Sequence, residues 1–337
     1  MAEPRFSIVL PVYNGAKYLR EALASLRWQT LADWECVCVN DGSTDGSGEI
    51  LEQFAAADRR FRVVHQANAG IVAALNRGIG EARSEWIARM DADDVALPER
   101  LAVQARFIEE RPETLVVSSH MACIDADGLP IGVQRGPTEH AEIERRLLAG
   151  QNTINHPTVV MRREAVARAG RYRREYEWVE DADLWLRLAR LGPIAAIPQV
   201  LLKYRLHEGS VCSTRSETQG RVMREMLAAA RAERGLPAEL PEAGGSRRRR
   251  RKRQPASHKW ARRAARSGYY RTAWIYWRRQ AREAPWSMST VRASLEVGFR
   301  ALGSFLQGKR PPMIELPDWR AWDATMAPER EKLGKAA

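Results

Sequence analysis

The sequence is poor in cysteine and has no long apolar run. Its four cysteines show no metal-ligand spacing, and Cys36 and Cys38 alternate within one short apolar segment. This pattern argues against a disulfide scaffold and a cysteine-based zinc module. No segment approaches the roughly eighteen uninterrupted apolar residues of a membrane span, and the amino-terminal residues lack a signal-peptide pattern. We therefore expect a cytoplasmic chain with reduced cysteines that neither spans a membrane nor is secreted.

Two common phosphate-binding loops are also missing. A dinucleotide-binding fold needs a Gly-x-Gly-x-x-Gly turn after its first strand, whereas residues 11–15 contain one glycine. A Walker-type loop needs Gly-Lys-Ser or Gly-Lys-Thr, and neither occurs anywhere in the chain. These absences exclude a Rossmann-type dehydrogenase and a Walker-type phosphate loop.

Strand-like apolar runs alternate with helical patterns in the first part of the chain. Strands are predicted from Phe6 and over 34–40, 61–65 and 85–89, with helices over 16–29, 48–57 and 71–82. This alternation predicts an α/β fold with a parallel sheet and right-handed crossovers. Ligands of such sheets lie beyond the carboxyl ends of the strands. The polar residues that fall at those ends are Asn14, Asp41, Asn68 and Asp93.

An acidic cluster, Asp91, Asp93 and Asp94, directly follows the fourth predicted strand. Three carboxylates crowded at a strand end repel one another, so the cluster needs a positive partner. A divalent cation that carries a phosphorylated ligand is the natural candidate. The alternative is a solvated acidic turn.

In order and spacing, these segments resemble the family 2 glycosyltransferases with the GT-A fold. The resemblance covers about residues 5–210 and rests on Pro11-Val12-Tyr13-Asn14, Asn40 to Asp45, Asn68-Ala69-Gly70 with Asn76, and Asp91 to Asp94. It implies a Rossmann-like, mostly parallel sheet flanked by helices. It also implies an inverting enzyme that moves a sugar from a nucleotide diphosphate, most naturally a UDP-sugar, to an acceptor hydroxyl.

The resemblance assigns donor binding to the strand ends. Asp41 would accept a hydrogen bond from the imide N–H of uracil or thymine, the alternative being a turn-forming Asp before glycine. Asp91 would reach the ribose or the base. The other implied donor-binding residues are Pro11, Tyr13, Asn14, Asn68, Gly70, Asn76 and Arg205.

The resemblance also implies a divalent metal, Mg²⁺ or Mn²⁺, held by Asp93 between the two phosphates. Such an ion acts as a Lewis acid for the departing diphosphate. Asp94 would orient its neighbours or cap the helix that begins near Pro98. His207, in the segment Tyr204-Arg205-Leu206-His207, would add a metal or phosphate contact, the alternative being a polar loop residue.

A second acidic segment supplies the implied catalytic residue. Asp181 shares a helical face with Leu184, Leu188 and Leu191 and therefore lies at a predicted helix start. The resemblance makes Asp181 the general base and Glu180 its supporting neighbour, and it places His156 on the acceptor side. The alternative for Asp181 is a first-turn carboxylate that complements the helix dipole.

Charge divides the chain near residue 243. Residues 244–337 carry 23 Lys and Arg against 7 Asp and Glu, whereas residues 1–243 carry 31 against 35. The predicted organisation is a catalytic domain over 1–235, a basic flexible linker over 236–256, a helical hairpin over 257–310 and a tail over 311–337. The catalytic domain would comprise a nucleotide-sugar half, about 1–115, and an acceptor half, about 116–215.

The basic region has two open interpretations. Arg247 to Arg253 forms a cationic block, either a solvated linker or a contact for anionic lipid. Beyond it, Tyr270, Trp274, Trp277 and Ala281 share one stripe, and a second stripe runs from Val291 to Leu306 after Pro285. These stripes suit an interfacial membrane hairpin or a helical pair packed on its neighbour or on the catalytic domain.

The expected partners are a nucleotide-sugar donor and a glycan or lipid-linked acceptor, with an anionic membrane surface as a further candidate. No nucleic-acid partner is expected, because a sugar-transfer site makes a lipid or glycan the more natural one. An acceptor in cell-surface polysaccharide, lipopolysaccharide or lipid-linked glycan synthesis would place the enzyme at the inner face of the cytoplasmic membrane. The alternative function is a catalytically silent GT-A-like module that acts through its basic tail. It would be expected to lose some of Asp41, Asp93 and Asp181, and all three are present.

Overall fold

The structure is a computed structural model that describes residues 3–207, 216–238, 256–283 and 294. These residues fall into two compact units. The first unit contains residues 1–121, 135–204 and 208–242, and the second contains 122–134, 205–207 and 243–337. The predicted linker over 236–256 therefore lies mostly outside the described residues, and the predicted domain boundaries stay a prediction.

Nine strands form one sheet in the part of the chain that is described. They are β1 Phe6–Val12, β2 Trp34–Asp41, β3 Phe61–Gln66, β4 Trp86–Arg89, β5 Val95–Ala96, β6 Val116–Ile124, β7 Pro130–Gln134, β8 Val160–Arg162 and β9 Ile194–Arg205. The strand order is β3-β2-β1-β4-β8-β6-β9-β5, and β7 pairs with β6 outside this path.

The two halves of the sheet differ in strand direction. β1 pairs in parallel with β2 and β4, and β2 pairs in parallel with β3. The parallel α/β architecture predicted for the first part of the chain is therefore confirmed. In contrast, β8 is antiparallel to β4 and β6, and β5 is antiparallel to β9. The register places Val12 opposite Asn40 and Asn40 opposite His65, so the carboxyl ends of the first three strands lie side by side.

Helices cover the sheet. Their bounds are α1 Ala16–Arg27, α2 Ser47–Ala57, α3 Ile71–Glu81, α4 Arg100–Glu110, α5 His140–Leu148, α6 Arg163–Arg168, α7 Glu180–Ala189, α8 Ser216–Ala232, α9 Ala256–Arg266 and α10 Tyr270–Glu283. The predicted first helix extended to Gln29, but α1 ends at Arg27. The buried Gln29 amide instead donates to the carbonyl oxygens of Ser25 and Leu97, at 3.2 Å and 2.8 Å.

The core explains why the first strands contain so few polar residues. Every residue of β1 and β2 is buried, as expected for parallel strands covered on both faces. Helix α3 packs so closely on β1 that a Cβ atom added to Gly78 would lie 2.5 Å from Cγ1 of Val9. Glycine at this position therefore sets the distance between helix and sheet.

The second unit contains a helical pair that packs on β7. Helices α9 and α10 contact each other and β7, and between them Gly268 adopts a φ of 82°. This break was not predicted from the sequence. Of the two interpretations of the stripe through Trp274, packing does not hold for Trp274 itself, which is 50% exposed, and membrane contact stays a prediction. The buried stripe of α10 is instead formed by Ala273, Tyr276 and Gln280. The second predicted stripe, from Val291 to Leu306, lies outside the described residues.

A hydrogen bond connects this helical pair to the turn before β7 in the same unit. The Tyr276 hydroxyl donates a hydrogen bond to the buried carboxylate of Asp125, which also accepts the backbone N–H groups of Asp127 and Leu129. Asp125 therefore ties the turn before β7 to helix α10. Among the described residues, no helix combines the length and hydropathy needed to cross a membrane.

Candidate functional site

The acidic cluster lies directly after β4. Asp91, Asp93 and Asp94 place one carboxylate oxygen each within 4.8 Å of one another. Carboxylate oxygens are the ligands that Mg²⁺ and Mn²⁺ prefer, so the donor set fits such an ion. Asp94 is fully buried, and Asp91 and Asp93 are half-buried. This group could therefore hold a divalent metal.

Asp94 does not cap the following helix. Helix α4 begins at Arg100 after Glu99, and its first residues have no side-chain cap. Asp94 instead interacts with the buried Arg100 guanidinium, whose pKa falls to about 9 mainly because of burial, with Asp94 opposing that fall. Of its two predicted roles, capping is wrong and an orienting contact remains.

Arg89 is a site residue that the sequence analysis missed. It ends the buried strand β4, is 4% exposed, and forms an ion pair with Asp91. Burial alone would lower the pKa of Arg89, but Asp91, with Tyr172 and Asp94 adding to its effect, outweighs burial and the pKa rises. Burial raises the pKa of Asp91, with Arg89 opposing and Asp93 reinforcing the shift. An arginine inside an apolar strand just before three aspartates was the available signal.

Asp181 lies in the first turn of α7, as predicted. Its Oδ1 atom accepts the Ala182 backbone N–H at 2.7 Å, and its Oδ2 atom accepts the side-chain amide of Asn152 at 2.6 Å. Burial raises the pKa of Asp181, although Ala182, Asn152 and Arg89 oppose the shift. Burial and the Asp181 charge raise the pKa of Glu180 to about 7.

The structure brings the two acidic segments into one electrostatic network around Arg89. The Arg89 charge acts on Asp91, Glu180 and Asp181. The network includes Tyr172, whose pKa rises because of burial, with the three carboxylates adding to the rise. The candidate metal ligands and the candidate base are therefore parts of a single site.

His156 and Tyr172 lie next to this network and contact each other. The His156 Nε2 atom and the Tyr172 hydroxyl share a hydrogen bond of 2.7 Å, and the His156 ring packs edge-on against Trp185. Burial and the Arg89 charge lower the pKa of His156 well below its usual value. His156 is therefore neutral near pH 7.

Asp41 is buried and already accepts several hydrogen bonds from the protein. Its carboxylate accepts from the Gln66 side chain at 2.7 Å and from the backbone N–H groups of Ala69 and Gly70 at 2.9 Å each. Asp41 therefore holds the loop that contains Asn68 and Gly70. Its contact with the base of a nucleotide stays a prediction.

The turns after β1 and β2 are joined by hydrogen bonds. The Asn14 side-chain oxygen accepts the Thr44 backbone N–H at 2.9 Å, and the Asn14 backbone N–H donates to Ser43 Oγ at 3.0 Å. Asn14 adopts a φ of 49° to do so. Pro11 is buried within β1, whereas Tyr13 is 57% exposed beside the joined turns. Of the residues predicted there, Tyr13 and Asn14 are exposed, and Tyr13 offers an aromatic ring.

Asn76 connects distant parts of the first unit. Its amide donates to the Tyr172 carbonyl at 2.8 Å, and its oxygen accepts the Tyr172 backbone N–H at 3.1 Å. Both ends of this side chain therefore position the segment that carries Tyr172. Its predicted donor contact is not tested.

Arg205 and His207 belong to the second unit. Arg205 is 2% exposed, and its guanidinium donates to the carbonyl oxygens of Asp125 and Ala126, at 3.3 Å and 3.4 Å. His207 is half-buried. Their predicted contacts with a diphosphate stay predictions.

Comparisons with known proteins agree with this geometry. The model of the family "Glycosyl transferase family 2" matches residues 7–170 of this chain. An uncharacterized glycosyltransferase of Haemophilus influenzae is 30% identical over 239 residues, which cover 66% of this chain and 73% of the relative. The chain belongs to glycosyl transferase family 2. The amylovoran biosynthesis glycosyltransferase AmsE of Erwinia amylovora is 34% identical to this glycosyltransferase over 204 residues, which cover 59% of this chain and 76% of AmsE.

A solved structure supports the fold of this glycosyltransferase. The structure of S. aureus TarS 1-349 in complex with UDP-GlcNAc superposes with a TM-score of 0.58 at 20% identity, covering 90% of this chain and 92% of that one. The predicted GT-A-like α/β fold is therefore confirmed. The protein is a nucleotide-sugar-dependent glycosyltransferase with an acidic triad of the DXD type.

Proposed function

We propose that this glycosyltransferase transfers a sugar, with inversion, from a UDP-sugar to a hydroxyl of a glycan or lipid-linked acceptor. The observation that carries the proposal is that Arg89 pairs with Asp91, which lies in the acidic cluster with Asp93, and also acts on Asp181. Metal-assisted departure of a diphosphate and base-assisted attack of a hydroxyl need these two kinds of carboxylate in one site. UDP-GlcNAc in the TarS complex supports a uridine donor.

We place donor binding at two features of the first unit, the loop that Asp41 holds and the exposed Tyr13 ring. Asp41 fixes the loop of Asn68 and Gly70, and the joined turns present Tyr13 as an aromatic surface for the base. Asp93 would hold the divalent metal, with Asp91 kept in place by Arg89. A bound Mg²⁺ or Mn²⁺ ion would offset negative charge on the departing diphosphate. Arg205 and His207 are further diphosphate contacts in this proposal.

Asp181 acts as the general base. Its carboxylate takes the proton of the acceptor hydroxyl while the hydroxyl oxygen forms a bond to the anomeric carbon. The bond from that carbon to the diphosphate breaks, and its electron pair leaves with the diphosphate, which inverts the configuration. Burial raises the pKa of Asp181 and strengthens it as a base, while Asn152 and the Ala182 N–H orient the carboxylate.

The acceptor belongs to cell-surface polysaccharide, lipopolysaccharide or lipid-linked glycan synthesis. The role of AmsE in amylovoran biosynthesis supports this class. A lipid-linked acceptor would hold the enzyme in the cytoplasm at the inner face of the membrane, with the basic carboxyl-terminal region toward anionic lipid. The arginine block over 247–253 lies outside the described residues.

The test is to incubate the protein with a panel of nucleotide sugars in the presence of Mn²⁺, Mg²⁺ or a chelator. Release of nucleoside diphosphate measures turnover, and calorimetry measures the affinity for each donor. One UDP-sugar should bind and turn over when metal is present. Asp93→Ala should abolish the metal-dependent part of the donor affinity and of the turnover. The exposed Asp33→Asn is the matched control and should behave as wild type. If no nucleotide sugar binds in the presence of metal, the proposal fails and a catalytically silent module that acts through its basic tail becomes the better account.

A further inference from the structure

We propose that the outward side of α10 is a docking surface for an anionic lipid bilayer. This surface, the α10 arginine face, consists of Arg271, Trp274, Arg278 and Arg282. The proposal deepens the membrane-side part of the proposed function, because it names the surface and the partner. It stands on the geometry of the second unit and does not involve the catalytic residues.

The four residues lie on one side of the helix. Their spacing of three, four and four residues keeps them within one stripe along α10, and all four are exposed. The stripe is about 16 Å long, at 1.5 Å of rise per residue. Ala273, Tyr276 and Gln280 lie on the opposite side of the same helix and are buried. The arginines are therefore arranged along a line that can lie flat on a surface.

Packing within the second unit fixes the direction of this face. The Tyr276 hydroxyl is bonded to Asp125, and the Arg263 guanidinium lies 3.0 Å from Cys123 Sγ. A Cβ atom added to Gly132 of β7 would lie 2.9 Å from Ser267 Oγ. The helical pair therefore packs closely against β7. Because the inner side of α10 is used in this contact, the arginines cannot turn inward.

The chemistry of the face matches anionic lipid headgroups. Residues 256–283 contain eight Lys and Arg against one Glu. On the face itself, the Arg278 guanidinium stacks 4.6 Å from the centre of the Trp274 ring. Arginine pairs with phosphate, and an exposed tryptophan prefers the level of the headgroups. No described helix can cross a membrane, so attachment through α10 would be peripheral.

A bilayer fits better than a nucleic acid or a protein partner. The proposed acceptor is lipid-linked, so the substrate would be delivered at a membrane surface. Between Arg271 and Arg282 the sequence of α10 contains no acidic residue, and the Asp127 carboxylate lies 3.9 Å from Arg279, which is not part of the face. Charge complementarity with anionic lipid is therefore continuous along the face.

The experiment is sedimentation of the full chain with phosphatidylcholine vesicles, with and without phosphatidylglycerol. Wild type should bind the anionic vesicles and not the neutral ones, and binding should weaken as salt rises. Arg271→Glu with Arg278→Glu should lower the partition by roughly tenfold or more. Trp274→Ala should give a smaller loss that persists at high salt, because it removes an interfacial side chain and no charge.

The matched control is Arg106→Glu with Arg168→Glu, an identical charge change at exposed positions of the first unit. It should bind as wild type. Equal losses in the two double variants would assign binding to net charge and overturn the proposal.

A further variant replaces residues 247–253 with glutamine, and at low salt it should still bind anionic vesicles through the α10 arginine face. Loss of all binding in that variant would assign the membrane contact to the arginine block and overturn the proposal.

Two measurements separate this proposal from the proposed function. Donor turnover in solution, without vesicles, should be the same for wild type and Arg271→Glu with Arg278→Glu, which also shows that the variant is folded. Turnover without any vesicle binding would overturn the lipid proposal alone. Vesicle binding without turnover on any nucleotide sugar would overturn the proposed function alone. Tighter binding to RNA than to anionic vesicles would also overturn the choice of a bilayer.

Discussion

The side-chain amide of Asn152 donates a hydrogen bond of 2.6 Å to Oδ2 of Asp181. This bond lowers the pKa of Asp181 against the effect of burial. Hydrogen bonds to charged groups contribute about 1.5–3 kcal/mol. Asn152 therefore keeps the proposed base ionised and oriented.

Asn152→Ala should lower kcat by roughly tenfold or more and leave donor affinity nearly unchanged. Because the lost bond had lowered the pKa of Asp181, that pKa should rise. Catalysis needs the ionised base, so the acid limb of the pH–kcat profile should move to higher pH. The neighbouring exposed Gln151→Ala is the control. An unchanged profile with an unchanged kcat would show that Asn152 has no positioning role.

Arg89 should be essential to the stability of the acidic site. Removing one partner of a buried ion pair leaves an uncompensated charge, so Arg89→Met should lower the free energy of unfolding by about 3 kcal/mol. Asp91→Asn should rescue part of that loss in the double variant, since the carboxylate that Arg89 compensates is then gone. Urea unfolding in the presence of a chelator measures each value. Strictly additive losses would mean that the pair is not coupled.

Glu180 should make stability depend on pH. Its pKa is about 7 in the folded protein, above the ordinary carboxyl value, because of burial and the Asp181 charge. A raised pKa means that stability is complete at low pH and is lost as pH rises through about 7. Relative to wild type, Glu180→Gln should therefore gain up to about 3 kcal/mol between pH 5 and pH 8. The exposed Glu110→Gln should show a flat difference over the same range, and a flat difference for Glu180→Gln would contradict the assigned environment.

The contact between α3 and β1 gives a test within one helix. An added Cβ at Gly78 would lie 2.5 Å from Val9 Cγ1, so Gly78→Ala should destabilise the fold by about 1–3 kcal/mol through overpacking. Gly80 lies on the same helix with nothing within 4 Å of an added Cβ. Gly80→Ala should therefore stabilise by about 0.5–1 kcal/mol, because alanine has the better helix propensity. Thermal unfolding distinguishes the two, and changes of the same sign would contradict this packing.

Much of the fold over residues 1–115, the predicted nucleotide-sugar half, could be predicted because its signals are local. The hydrophobic periodicity and the turn residues of the sequence predict the alternating strands and helices. Parallel pairing then brings the carboxyl ends of the strands together. Asp91, Asp93 and Asp94 are neighbours in the chain, so their crowding was visible without a structure. Asp181 at the start of α7 was also predictable, because a helical apolar face begins there.

Other features depend on contacts between distant segments. Asn152 meets Asp181 from a loop without regular structure, and Asn76 reaches Tyr172 across 96 residues. Neither pairing has a periodic signal. The sequence also did not show that the Asp41 carboxylate is already bonded to its own loop. In the second unit, the sequence left the stripe through Trp274 open between membrane contact and packing, because the bond that buries Tyr276 against Asp125 has no periodic signal.

The role of Asp181 as the base is tested by comparing donor affinity with turnover in the Asp181→Asn variant. Calorimetry with the accepted UDP-sugar and metal should give a dissociation constant close to that of wild type, while turnover on the acceptor falls by roughly 10²–10⁴-fold. That result would separate the base from the donor site. Turnover within a few-fold of wild type would contradict the assignment of Asp181 as the general base.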